Sequence, residues 1–205
     1  MGLLTGLVLL FGSQNANAGY DSMFTLGVGV HTGYFHAGGS AKSDDGRAVY
    51  GLNLRLRTLR FLGVSMAYDL NNKESVESEV SLPYPTMQFA THIYFLNVKR
   101  VSMNFLVGLG LNMADNNGSM LSSYILGGEL AVRVHKHVEL NAGIRFYLRS
   151  WEQVYNQRTA GMRGPDGSLT INNEANMGNL NFNTVFSDIA DFRNFQVLVS
   201  VRAYI

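Results

Sequence analysis

The 205-residue chain has no cysteine, only 3 prolines and a single tryptophan, and none of its apolar runs is long. Without cysteine there is no disulfide, no thiolate metal site, no cysteine nucleophile and no lipidated cysteine. Scarce proline beside 22 glycines suits many strands and little helix. Charge is also thin: 15 % of residues are charged and the net charge is +1, which offers no electrostatic footprint for nucleic acid. The length suits a single domain. The longest apolar run, Leu3 to Phe11, falls far short of the roughly 20 residues a membrane-spanning helix needs. Ala16-Asn17-Ala18 follows it in the small-x-small pattern of a secretory cleavage site. Residues 1–18 are therefore expected to be a signal peptide cleaved after export through the inner membrane, with 19–205 as the mature domain.

What the chain does contain is alternation. From Val138 onward, Val138, Leu140, Ala142, Ile144, Phe146 and Leu148 interleave with Glu139, Asn141, Gly143, Arg145, Tyr147 and Arg149. That period of two marks a strand with one greasy and one polar face. The pattern recurs near 23–35, 48–57, 61–70, 86–95, 101–112, 126–134 and 195–205, which gives eight strands. Their connections alternate in length. Short turns fall around Thr58, at Leu96 to Arg100 and at His135 to His137, whereas 36–46, 71–83, 113–121 and 150–191 are long and polar. Short turns on one rim and long loops on the other are the pattern of an outer-membrane barrel. A structureless stretch as long as 150–191 would count against an ordinary compact domain; here its flanks are expected to extend strands seven and eight.

Charge placement decides which face is inside. No apolar-face position in the eight strands is charged, while the opposite faces carry Arg55, Asp69, Glu129, Arg133, Glu139, Arg145 and Arg202. Those faces are also rich in Gly, Ala and Ser, which suits a narrow lumen better than a solvated exterior. A water-soluble sandwich or lipocalin-like barrel would bury the apolar faces instead. Strands of about ten residues match a tilted bilayer span, and only a closed barrel leaves no unpaired edge in lipid. The expected fold is all-β, an eight-stranded antiparallel up-and-down transmembrane β-barrel.

At this level the chain resembles a known family. "GGELAVRVHKHVELNAGIRFYL" looks like the penultimate hairpin of the small outer-membrane barrels typified by the OmpA transmembrane domain, and "TLGVGVHTGYF" is similar to that family's glycine-rich first strand. The closing "FQVLVSVRAYI" resembles the C-terminal signal read by the barrel-assembly machinery, with Ile205 where the family prefers an aromatic residue. The resemblance implies insertion by that machinery and contact with outer-membrane lipids and lipopolysaccharide; because the chain stops at strand eight, the family's peptidoglycan-binding domain is not expected. It marks an architecture and not one activity.

Several groups carry candidate chemistry. A tight turn at His135-Lys136-His137 places Arg133 across from Glu139 on the lumen side, and Glu129 opposite Gly143, one diagonal step from Arg145. Buried charges must be paired, and paired they fill a lumen just wide enough for side chains. A structural plug is the expected result, with a narrow gated pore as the alternative. His135 and His137 lack a third ligand nearby and read as a solvated turn, so neither metal nor cofactor is expected. Basic residues at the short turns (Arg57, Arg60, Lys99, Arg100, Lys136) either contact anionic headgroups or simply solubilise the rim.

A lipid-modifying enzyme is the rival reading. It would need a nucleophile and base near the outer leaflet, but His92 is expected inward, across from Asn104, and His31 inward near the end of strand one. Neither has a serine on the lipid-facing side. Asn117-Gly118-Ser119 reads as a turn. Asp188, Asp191 and Asn194 form only a weak oxygen-donor set. In the stretch 150–191, Trp151, Tyr155, Met162 and Phe182 stand among polar residues, and Trp151, Tyr155 and Phe182 are the candidates for meeting an envelope or extracellular protein partner.

Overall fold

The computed structural model describes residues 24–36, 46–70, 87–98, 100–113, 120–159, 182–190 and 192–205. Its strands are β1 (Thr25–His36), β2 (Gly46–Arg57), β3 (Leu62–Asp69), β4 (Met87–Val98), β5 (Val101–Met113), β6 (Met120–His135), β7 (Val138–Arg149) and β8 (Phe195–Tyr204). Between β7 and β8 stand two helices, α1 (Trp151–Thr159) and α2 (Phe182–Ile189). Each strand pairs antiparallel with its sequence neighbours, and β1 closes on β8 with Val30 opposite Val201, so the sheet has no edge. This is the eight-stranded, all-β up-and-down barrel that the period-two pattern predicts. The segment 1–18, Lys99, the Asn117-Gly118-Ser119 turn, Met162 and Asp191 lie outside the described residues.

The alternation of burial follows the alternation of sequence. Along β1, Thr25, Gly27, Gly29, His31 and Phe35 are buried while Leu26, Val28, Val30, Thr32 and Tyr34 are exposed. A strand of ten residues, at roughly 3.3 Å per residue and a tilt of about 45°, climbs roughly 23 Å, close to the apolar thickness of an outer membrane.

The structure departs from the sequence expectation in four places. β6 begins at Met120, well before the periodic segment from 126. A bulge at Tyr94/Leu96 leaves Phe95 and Leu96 both exposed and breaks the alternation of β4. The β6–β7 turn is the two-residue Lys136-His137 with an irregularity between Arg133 and His135, and this still sets Arg133 opposite Glu139.

The fourth departure is the largest: strands seven and eight are not extended into the stretch 150–191. β7 stops at Arg149 because Ser150 caps a helix. Its hydroxyl accepts the Gln153 N–H (3.3 Å), and Gln153 Oε1 accepts the Ser150 N–H (3.0 Å). This reciprocal capping box satisfies two otherwise orphaned donors, and Glu152 adds a negative charge at the positive end of the helix. Leu148, expected on the lipid face, is buried at this rim.

Candidate functional site

The chain's polar chemistry is concentrated in the lumen. Glu129 on β6 receives Arg55 Nη2 from β2, on the far wall of the barrel, and Arg145 Nη2 from β7 at 3.0 Å. Arg145 Nη1 donates to Gln88 Oε1 (2.7 Å), Gln88 Nε2 donates to Asp69 Oδ2 (2.6 Å), and Asp69 Oδ1 bonds His31 Nε2. One continuous chain of contacts thus runs His31–Asp69–Gln88–Arg145–Glu129–Arg55. Gly51 makes room for its first link, since a Cβ there would stand 2.7 Å from the His31 ring and 2.8 Å from Asp69 Oδ1.

A second set lies toward the short turns. Arg202 donates from Nη1 to Glu139 Oε1 (3.0 Å) and Asn141 Oδ1 (3.2 Å), and from Nε to Asn53 Oδ1 (2.9 Å). The Tyr204 hydroxyl donates to Glu139 Oε1 (2.9 Å), and the Arg133 guanidinium lies 5.7 Å from the Tyr204 ring. Glu139 therefore faces Arg133 in the ladder and also holds Arg202, which comes from the neighbouring strand. These charged groups are almost wholly buried: Arg55 is 1 % exposed, Glu129 3 % and Arg202 2 %.

Toward the long loops the lumen changes character. Phe35, Val49, Leu106, Ile125 and Tyr147 form an apolar layer, with Phe35 edge-on to Tyr147 at 5.5 Å. The Tyr147 hydroxyl anchors this layer to Gln196 Oε1 (2.6 Å). An apolar plate inside the lumen was not expected from the sequence.

A further array joins Ser65, which the sequence reading did not include, to the His92 and Asn104 it expected on the lumen side. Ser65 Oγ and His92 Nε2 are 2.7 Å apart, and His92 Nδ1 is 2.9 Å from Asn104 Oδ1. In the ladder His92 stands opposite Leu106 and Asn104 opposite Tyr94, so the bond to Asn104 is diagonal. Serine, histidine and an orienting amide in this order have the connectivity of a nucleophilic set. Here all three point into the lumen, and His92 is fully buried.

The outside of the barrel is the reverse of the inside. Val30, Leu52, Leu54, Phe105, Val107, Val199 and Val201 are all exposed along the strands. Two belts of exposed aromatics bound this apolar band. Phe24, Phe61 and Phe95 stand at the short-turn end, and Tyr34, Tyr50, Tyr68 and Tyr124 toward the long loops. Aromatic girdles around an apolar belt are the surface of a protein solvated by lipid. The chain is an eight-stranded transmembrane β-barrel.

No protein-family model matches the chain, and no characterised protein matches it in sequence. Among solved structures the barrel is similar to Neisserial surface protein A, at 14 % identity over 89 % of this chain and 97 % of that one, with a TM-score of 0.43. It is also similar to Ail, the attachment invasion locus protein of Yersinia pestis, at 13 % identity over 88 % of this chain and 96 % of that one, with a TM-score of 0.40. Assignment to the membrane-spanning barrel architecture rests on the closed sheet and its inverted polarity.

At the short-turn rim, Arg57 leaves the set of basic residues available to headgroups. It is buried, donates from Nη2 to the Arg60 carbonyl (2.6 Å) and lies 3.9 Å over the Tyr94 ring. Arg60, Arg100 and Lys136 remain exposed. His135 at the end of β6 and His137 in the turn have ring centroids 5.9 Å apart, and His137 Nδ1 lies 3.3 Å from the Tyr204 carbonyl. No cluster of three metal-ligating side chains occurs among the described residues.

At the opposite rim, Trp151 is exposed on α1 and Tyr155 half-buried. Phe182 opens α2, and its side chain lies outside the described set. Asp188 is half-buried on α2, and the Asn194 carbonyl accepts the Tyr147 N–H (2.9 Å), closing the loop onto β7.

Proposed function

We propose that this barrel is a surface-interaction scaffold. In this reading its lumen is plugged by paired charges, and its long loops, above all 150–191, present the working surface to an envelope or extracellular partner. The observation that carries the proposal is the lumen itself. Arg55, His92, Glu129, Arg202 and Gln196 are buried there, each hydrogen-bonded to another lumen side chain, and an apolar cluster lies beside them toward the long loops, so the interior is occupied by the protein's own side chains. A barrel so filled offers its surroundings only its outer surface and its rims. Outer-membrane lipid and lipopolysaccharide bathe the belt, and the barrel-assembly machinery inserts the chain.

Joining Arg149 to Phe195 by a tight turn tests the proposal. The shortened chain should remain a heat-modifiable barrel and lose partner binding or the associated phenotype. Full binding by the shortened chain would refute the assignment to this loop.

The enzyme alternative has one observation in its favour, the Ser65–His92–Asn104 array. Against it, an acyl chain would have to enter the lumen to reach Ser65. Mass spectrometry of lipid A, with and without expression of the chain, separates the two. A change in acylation that disappears on Ser65→Ala would replace the scaffold reading.

A further inference from the structure

The stretch between β7 and β8 does not only project outward. Residues Phe182, Val185, Phe186 and Ile189 recur at the spacing of one helical stripe on α2. Within that stripe Val185 is buried, as is Val154 on α1, and the two helices are in contact. Phe186 is left 57 % exposed, Phe192 just beyond the helix 50 %, and Trp151 47 %. Three large aromatics half open to the surroundings at one rim are more than a water-exposed loop needs.

Their position indicates what covers them. Phe192 lies edge-on to Phe146 (5.5 Å), Phe146 lies 6.4 Å from Phe195, and Phe195 lies 5.2 Å from His36. Phe146 stands between the buried Arg145 and Tyr147, so it belongs to the lipid-facing side of β7, and α2 itself touches that strand. The Phe192 turn thus packs on the outer face of β7, at the end of the barrel where Tyr34 and Tyr124 of the loop-end girdle stand. The opposite side of α2 carries Asn183 and Ser187, both exposed. A helix apolar on one side and polar on the other, with its own backbone hydrogen bonds made, can lie in a membrane interface where an open strand end cannot.

We propose that α2 and the Phe192 turn lie on the outer leaflet, with Phe186, Phe192 and Trp151 at the boundary between acyl chains and headgroups. Loop 150–191 is then clamped to the bilayer at its flanks. This inference rests on the outward placement of that loop in the functional reading. The covering group is outer-leaflet lipid; a soluble protein seated on the same aromatics is the competing outcome.

Trp151 is the only tryptophan of the chain, so the native protein carries its own reporter. The full chain is reconstituted in phosphatidylcholine vesicles whose lipids are brominated either near the glycerol end of the acyl chains or near the chain terminus. A Trp151→Phe/Phe186→Trp variant reports on α2 in the same way. Each reporter should show blue-shifted emission and lose about half its intensity to the shallow bromines, less to the deep ones, and little to aqueous acrylamide. Full acrylamide quenching with no effect of brominated lipid would overturn the lipid contact and leave the face to a soluble partner, without touching the loop-deletion result. Protease treatment of intact cells supplies the other arm. Cleavage within 160–181 supports outward placement, and protection there until lysis would overturn this inference together with the functional reading.

Discussion

Replacing Glu129 by alanine should be among the most damaging single changes in this barrel, and the size of the effect follows from its two arginines. Glu129 accepts Arg55 and Arg145, and the side chains of Arg55 and Glu129 are each 1 % exposed. Removing one partner of a buried ion pair costs about 3–5 kcal/mol, chiefly because the charge left behind stays desolvated. The two arginines are not equal. Arg145 keeps Gln88 Oε1 at 2.7 Å, so its loss is partial. Arg55 has its only hydrogen-bond acceptor among the described residues in Glu129, and its Nε and Nη1 have none. Glu129→Ala is therefore expected to cost about 4 kcal/mol, most of it through Arg55.

Urea titration of the barrel in phosphatidylcholine vesicles, followed by far-ultraviolet circular dichroism and by the mobility shift of unheated samples on denaturing gels, measures the difference. A companion variant separates desolvation from packing. Arg55→Met combined with Glu129→Leu removes both charges and keeps most of the volume, so it should recover much of the lost stability. A Glu129→Ala stability within about 1 kcal/mol of wild type, the range of solvent-exposed pairs, would refute this account. That result would mean that water, and not protein, solvates Arg55.

Three other outcomes are expected. Glu139→Gln should cost less than Glu129→Ala, about 2 kcal/mol in the same titration, because Arg202 keeps Asn53 and Asn141 as acceptors; an effect larger than that of Glu129→Ala would reverse the ranking of the two networks. Gly51→Val should reduce the yield of heat-modifiable barrel sharply, since its Cβ collides with the Tyr68 carbonyl as well as the His31–Asp69 pair; wild-type yield and stability would show that the strands can part at no cost. Purified wild-type protein in planar bilayers should give little steady conductance, and large, stable channels would count for the pore and against the plug.

How much of this was legible in the sequence follows from the range of each interaction. Strand alternation is a nearest-neighbour property. It gave β1, β2 and β7 almost to the residue, along with the inverted polarity, because every charged side chain had to leave the lipid face. Ladder neighbours were within reach for the same reason: one short turn fixes the register that sets Arg133 across from Glu139 and Glu129 across from Gly143. Contacts across the lumen were not. Arg55 meets Glu129 from the far wall and Asn53 meets Arg202 across the closure between β8 and β1, and these depend on the stagger with which the whole sheet closes. The apolar layer escaped because Val49, Leu106 and Ile125 interrupt otherwise polar faces one residue at a time, which local periodicity treats as noise. The helix after β7 could have been found, since Ser150-Trp-Glu-Gln153 is a capping-box sequence; the long polar stretch behind it masked the motif.

The two lumen layers bear differently on the choice between plug and pore. A gate made only of ion pairs can open by exchanging partners, because each arginine released from one carboxylate can be received by another at small net cost. Arg145, already shared between Glu129 and Gln88, has the geometry for such an exchange. The apolar layer has no such option. An ion passing Phe35, Val49, Leu106 and Ile125 would leave its water and meet only the Tyr147 hydroxyl, already bonded to Gln88 and Gln196, and a desolvated charge in that setting costs far more than thermal motion supplies. Opening the charged layer is therefore insufficient to make the barrel conduct. A variant that loosens the charges, such as Glu129→Ala, should be less stable and remain electrically quiet. Conductance should appear only when the plate is also cut back, for example by Phe35→Ala with Leu106→Ala. If Glu129→Ala alone conducted steadily, the apolar layer would be no barrier, and the lumen would have to be read as a gated pore.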